Sequence, residues 1–189
     1  MLDIEKENPY VTRAGLKLAH ALRELQVDPA GLTCADLGSH VGGFVDCLLQ
    51  HGASKVYSID TSYGILAWKL RQDQRVVVME RTNAMHAELP EKVDLVTIDV
   101  GWTPQRRILP PALALLKDDG RILALIKPQY ESEGHERHLG LVLPEHLPAI
   151  LDRVRLHIRD CGVRILGETT SPIKGAGGNI EVLVLLARA

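Results

Sequence analysis

The 189-residue sequence is poor in aromatic side chains: one Phe, two Trp and four Tyr make up 4% of it. Aliphatic residues must therefore fill the core. Cysteines number three (Cys34, Cys47 and Cys161), with no CxxC pair. An odd, unpatterned set excludes a disulfide scaffold and fits reduced thiols in a cytoplasmic protein. No apolar run approaches the roughly 20 residues that span a bilayer, and residues 1–10 are acidic and polar, unlike a signal peptide. Positive charge is not in excess either, the formal net charge being −2. A nucleic-acid partner must then be met by a local patch or with help from another chain. Repeats and low-complexity stretches are absent. What remains is 46% apolar and 24% charged, the balance of an ordinary globular domain. We expect residues 1–8 to form a tail and residues 9–189 a single domain.

Apolar strand-like runs alternate with helical patterns, which predicts parallel βαβ units. A helix is expected over Thr12–Gln26, capped by Thr12, with Leu18, Ala21, Leu22 and Leu25 as its stripe. Strands are expected at Thr33–Leu37, Lys55–Asp60, Val76–Glu80, Val93–Asp99 and Arg121–Lys127, with helices near Gly43–His51, Gly64–Arg71 and Pro104–Leu116. A long helix over Pro144–Asp160 leads to strands near Val163–Thr170 and Asn179–Ala187, joined by a short turn-rich link that makes them antiparallel. The expected fold is α/β: a doubly wound, mostly parallel seven-stranded sheet with an antiparallel C-terminal hairpin strand. Such sheets bind ligands beyond the carboxyl ends of their strands, at the switch in strand order.

The segment Cys34-Ala-Asp-Leu-Gly-Ser-His-Val-Gly-Gly-Phe44 joins the first strand to a helix. Its glycines, Gly38, Gly42 and Gly43, permit a tight turn and close approach of a ligand. The pattern is GxxxGG, not the GxGxxG of a dinucleotide site. Asp36 ahead of it repels a pyrophosphate and suits an ammonium or sulfonium group. Asp60 closes the second strand, where an acid can accept both ribose hydroxyls of an adenosine. A glycine-rich turn with a capping aspartate is the competing reading. Together, loop and acid point to S-adenosylmethionine, with Ser39 and His40 of the loop beside it.

Lys127 closes a buried strand, which is costly without a partner. Asp99 ends what should be the neighbouring strand, Glu181 opens the last one, and Lys17 borders the stripe of the first helix. Read singly, these are an ordinary ion pair, an edge charge and a solvated lysine. His135, His138 and His146 lack the accompanying ligands of a metal site, so no metal is expected. Trp68 sits in an apolar helical context and is expected in the core. Trp102, just after Asp99, is a candidate for lining the site. Arg153, Arg155 and Arg159 are expected on the solvated side of their helix.

Tyr10-Val-Thr-Arg-Ala-Gly-Leu-Lys17, Asp36-Leu-Gly…Gly-Gly-Phe44, Glu80-Arg-Thr-Asn83, Thr97-Ile-Asp99, Lys127-Pro-Gln-Tyr-Glu131 and Ser171-Pro-Ile-Lys174-Gly…Gly-Asn-Ile-Glu181 resemble, in order, the blocks of FtsJ-type RNA methyltransferases. The hemolysin A (TlyA-type) branch is the nearest. The resemblance implies a Rossmann-like methyltransferase that uses S-adenosylmethionine, and a Lys-Asp-Lys-Glu tetrad for ribose 2′-O-methylation of RNA, here Lys17, Asp99, Lys127 and Glu181. It also implies that Asn83 lies near the adenine and that Gly38, Gly43 and Phe44 line the cofactor. That branch usually carries an RNA-binding S4 domain, which these residues do not contain; self-association or a partner is the expected substitute. His40, Val41, Trp102 and residues 133–144 depart from the family pattern. The expected partner is ribosomal RNA, held by Arg13, Arg81, Arg106, Arg107 and Lys174. Alternatives are methyl transfer to a small molecule or protein, a cofactor-binding module, and a membrane-active hemolysin.

Overall fold

A computed structural model describes residues 8–175 and 177–189; nearly all of the expected N-terminal tail lies outside the described residues. The chain runs α1 (Ala14–Glu24), β1 (Thr33–Leu37), α2 (Gly43–Gln50), β2 (Lys55–Ile59), α3 (Trp68–Arg71), β3 (Val76–Met79), β4 (Val93–Ile98), α4 (Gln105–Leu115) and β5 (Leu116–Ile126). Then follow α5 (Pro128–Glu131), a two-stranded hairpin of β6 (Arg137–His138) and β7 (Leu141–Val142), α6 (Leu147–Asp160), β8 (Val163–Thr170) and β9 (Val182–Arg188). Seven strands form one sheet in the order β3-β2-β1-β4-β5-β9-β8. β9 is antiparallel to both neighbours, and the β1–β5 pairings are parallel. The expected fold class is the one observed.

The side-chain period of two splits the aliphatic residues between two layers. In β5, Ile122, Ala124 and Ile126 pack with α4 and α6, while Leu123 and Leu125 pack with α1 and α2. Helices thus cover both faces, and the strands read as continuous apolar runs. Strand order reverses between β1 and β4, so their carboxyl ends part there and leave a crevice.

Local differences from expectation have local causes. Arg13, not Thr12, precedes α1, and no side chain caps the helix. The expected Gly64–Arg71 helix shrinks to the four residues of α3. Only Leu70 of α3 is buried, and Trp68 is 74% exposed, so it is not a core residue. Glu181 lies one residue ahead of β9, and Lys127 caps α5. Arg153 is not merely solvated: it donates twice to the buried Glu136, at 3.0 and 2.7 Å, tying α6 to the hairpin. Arg155 likewise reaches across to Glu168 of β8.

Candidate active site

The carboxyl ends of β1, β2, β4 and β5 surround a cleft of about 410 Å³. Asp36, Gly38, Ser39, His40, Gly43 and Phe44 wall one side, Asp60 and Asn83 another, and Asp99 and Lys127 a third. The strands converge there because parallel registers such as Asp36↔Thr97 and Leu37↔Ile98 bring their ends level.

Gly38 makes the closest approach. It has φ +90°, and a Cβ there would lie 2.8 Å from the Asp99 carbonyl oxygen. Only glycine lets β1 turn this tightly against β4. Gly42, also expected in the site, is absent from the cleft wall; its open side is filled by Leu66 and Leu70.

Asp36 is fully buried at the cleft floor. The Thr97 hydroxyl donates to its Oδ1 at 2.6 Å, while Oδ2 has no hydrogen-bond partner among the described residues. Burial pushes the carboxyl up to about 7, against the opposing pull of the Thr97 and Ser39 hydroxyls. An unpartnered buried carboxylate oxygen facing a cavity is a place for a cationic ligand group. Asp60 behaves differently. Burial raises its carboxyl, but the amides of Ser62 and His40 donate to it at 2.8 Å each and hold it below the ordinary range. It stays an anion with lone pairs left for hydroxyl donors. Asn83 spends its side-chain oxygen on the Met85 amide and leaves its NH₂ group available at the cleft.

The four residues of the expected tetrad form two ion pairs. Lys127 Nζ lies 2.6 Å from Asp99 Oδ1 and donates to the Asp99 carbonyl at 3.4 Å. Lys17 Nζ lies 2.5 Å from Glu181 Oε2. The pairs are neighbours because Ile126↔Val182 is the last rung of the β5–β9 ladder, and the next step outward sets Lys127 opposite Glu181. The Lys127–Asp99 pair lines the cleft, whereas Lys17 and Glu181 are not among the residues that line it.

Arg13, Arg81, Arg106, Arg107 and Lys174 are all exposed. Arg13 lies between cleft residues Thr12 and Ala14, Arg81 precedes Thr82, and Arg106 and Arg107 lie between Thr103 and Ile108. Arg81, at φ +52°, stacks on Tyr63 with 4.1 Å from guanidinium carbon to ring centroid. Lys174 stands apart, next to Gly175 on the Glu181 side. Trp102 is 83% exposed and packs on Tyr130 at 4.8 Å between centroids, outside the cleft lining.

Sequence reasoning missed two supports. Thr97 orients Asp36; a hydroxyl at the buried carboxyl end of β4, two residues before Asp99, was the available signal. Gly175 gives Glu181 its space: a Cβ there would lie 2.2 Å from Glu181 Oε1. Among the described residues, no group of His, Cys, Asp and Glu could hold a metal ion, and no helix is long and apolar enough to cross a membrane.

With this geometry stand the comparisons with known proteins. Residues 10–188 match the model of the FtsJ-like methyltransferase family. The chain belongs to that family. The Bacillus subtilis protein YqxC is 44% identical over 96% of this chain and 67% of its own length. The Mycobacterium tuberculosis H37Rv protein named 16S/23S rRNA (cytidine-2′-O)-methyltransferase TlyA is 37% identical, over 96% of this chain and 70% of its own. A hemolysin-type protein of known structure from Lactococcus lactis superposes with a TM-score of 0.89 at 41% identity, covering 94% of this chain and 88% of that one. S-adenosylmethionine is the cofactor of this FtsJ-like methyltransferase. The cleft fits it: Asp36 Oδ2 is a buried carboxylate oxygen without a hydrogen-bond partner among the described residues, Asp60 is a carboxylate with lone pairs left for hydroxyls, and Gly38 has no side chain to keep a ligand off the backbone.

Proposed function

We propose that this FtsJ-like methyltransferase methylates a ribose 2′-hydroxyl of ribosomal RNA, with Lys17, Asp99, Lys127 and Glu181 as its acting residues. The observation that supports this most is the pairing at the sheet edge: a lysine and an aspartate open on the cleft, backed by a second lysine–carboxylate pair.

Bound S-adenosylmethionine supplies a methyl group activated by its sulfonium. A ribose hydroxyl is a weak nucleophile, so its proton must leave as the oxygen attacks. Lys127 takes up that proton at Nζ, and Asp99 Oδ1 balances the charge that Nζ then carries. Glu181 holds Lys17, and this pair fixes the ground beneath Lys127. Asp36, Asp60, Asn83, Gly38, Ser39, His40, Gly43 and Phe44 hold the cofactor. Arg13, Arg81, Arg106, Arg107 and Lys174 contact RNA phosphates. Because the formal charge of the whole chain is only −2, self-association or a partner contributes the remaining RNA contact. An rRNA substrate places this work in the cytoplasm.

The test is transfer of labelled methyl to unmodified rRNA, beside protein and small-molecule fractions of the same extract. The expected label is in RNA, in alkali-resistant dinucleotides, because a methylated 2′-oxygen cannot attack the adjacent phosphate. Transfer should also fall steeply with salt, since each phosphate contact adds about 0.7–0.9 to the slope of log affinity against log salt. Label on a base or in protein would overturn the reading.

A further inference from the structure

A second feature of the structure is unexplained by cofactor binding or proton transfer. β6 and β7 pair as Arg137↔Val142 and His138↔Leu141, which leaves a two-residue turn of Leu139 and Gly140. Their φ values are +47° and +82°, the signature of a type I′ turn, whose first position favours Asn or Asp. Leucine is out of place there on two counts. Its backbone is strained, and its side chain is 91% exposed. Leu141 is also exposed, and so is Ile180.

Strands this short do not hold together alone. The hairpin persists because the buried Asn179 clamps it: Nδ2 donates to the Gly140 carbonyl at 2.9 Å, and the Val142 amide donates to Oδ1 at 2.9 Å. Glu136, locked by Arg153, accepts at its carbonyl from the Leu143 amide at 3.0 Å. Arg137 donates to the Gln129 carbonyl at 2.8 Å. Two of these anchors lie close in sequence to the lysine–carboxylate pairs. Asn179 is two residues before Glu181, and Gln129 is two residues after Lys127. Strain maintained by surroundings in this way marks a functional position.

We propose that Leu139 is a wedge that enters the base stack of folded RNA beside the target ribose, a reading that rests on the RNA function above. An aliphatic side chain inserted at a base step unstacks and kinks a duplex. A ribose held in helical RNA must be swung out before its hydroxyl can reach Lys127 on the cleft wall. Even with Leu141 and Ile180, the exposed aliphatic surface around Leu139 falls far short of a stable protein interface, which needs about 800 Å² per partner. Leu139 is the size a base step accepts. The exposed His135 and His138 lie on one side of it and the half-exposed Leu141 on the other.

The test compares wild type, Leu139→Ala and Leu139→Asn on two substrates: unmodified rRNA folded with magnesium, and short unpaired oligonucleotides spanning the methylated segment. Asparagine suits the turn, so that variant should melt no lower than wild type. On folded rRNA both variants should lose about tenfold or more in kcat/KM, because unstacking a step costs enough to matter at that scale. On the unpaired oligonucleotides both should match wild type. Equal loss on both substrates, or no loss on folded rRNA, overturns the wedge while leaving the methyltransferase reading intact. A changed oligomeric mass with unchanged transfer assigns Leu139 to a protein contact and also overturns it. Wild-type protein that methylates neither RNA removes the function reading, and the wedge with it.

Discussion

The two lysine–carboxylate pairs at the carboxyl edge of the sheet use the same chemistry in opposite surroundings. Lys127 and Asp99 are each 17% exposed and face the cleft. Lys17 and Glu181 are 9% and 2% exposed, pair with each other and do not line it. The first pair joins adjacent parallel strands; the second spans 164 residues of sequence to fasten α1 to the start of β9. Partial exposure leaves the first pair within reach of a molecule in the cleft. Near-complete burial makes the second a fixed prop, since separated charges there have no water to return to. The difference predicts that substitutions in the first pair act on rate and those in the second on folding.

The largest effect should come from Lys127→Ala. Loss of a general base typically costs about 10²–10⁴ in rate. Single-turnover methyl transfer should fall by that range, while cofactor affinity by calorimetry and the melting temperature stay close to wild type. A variant with full activity, or one that fails to fold, erases the contrast between the pairs.

Lys17→Ala should do the reverse first. Removing one partner of a buried pair costs about 3–5 kcal/mol, which for a chain this size lowers the melting temperature by roughly 10 °C. Replacing both partners, Lys17→Met with Glu181→Leu, should recover most of that stability, because an apolar pair of similar volume avoids the desolvation cost. If transfer stays low in the refolded double variant, the pair positions Lys127 as well as holding the fold. If transfer returns, the pair is structural alone.

Next comes Asp60→Ala, which removes the acceptor proposed for the ribose hydroxyls. Hydrogen bonds to a charged group are worth about 1.5–3 kcal/mol, so cofactor affinity measured by calorimetry should weaken by about ten- to a hundredfold. Neither ion pair touches Asp60, so the two pairs should be undisturbed; the Ser62 and His40 amides lose their acceptor, so the ligand-free protein should melt only modestly lower than wild type. Unchanged affinity would remove Asp60 from the site.

How much of this was legible in the sequence depends on how each residue reaches the site. Asp36, Asp60, Asp99 and Lys127 end parallel strands, and parallel strands deliver their last residues to one edge. Their convergence follows from periodicity and chain order. Lys17 and Glu181 follow from neither: one lies on a helix and the other in a loop ahead of an antiparallel strand, and only the family resemblance joined them. Trp68 was misread because four helical residues are too few to define a buried face. The β6–β7 hairpin was invisible because two-residue strands show no alternation, and its support comes from Asn179, 37 residues from Val142. Arg153 and Arg155 looked solvated because their acceptors, Glu136 and Glu168, lie on other elements.

The last prediction concerns Asp36, a cleft carboxylate that, like Asp60, belongs to neither pair. Asp36 ionises near 3.8 in the unfolded chain and is raised to about 7 by burial in the folded one. Between those values the folded state holds the proton more tightly, so its stability must fall as pH rises through that window and level off above it. Asp36→Asn keeps an acceptor for the Thr97 hydroxyl and removes the titration. The melting temperature of ligand-free wild type, measured relative to this variant, should therefore drop by several degrees from about pH 4 to about pH 7. S-adenosylmethionine should shrink that drop in the wild type, because a cationic group beside Oδ2 favours the ionised carboxylate. A pH-independent difference between the two proteins would mean that Asp36 is not the titrating group at the cleft floor. A drop that the cofactor leaves unchanged would mean that the cationic end of the ligand rests elsewhere.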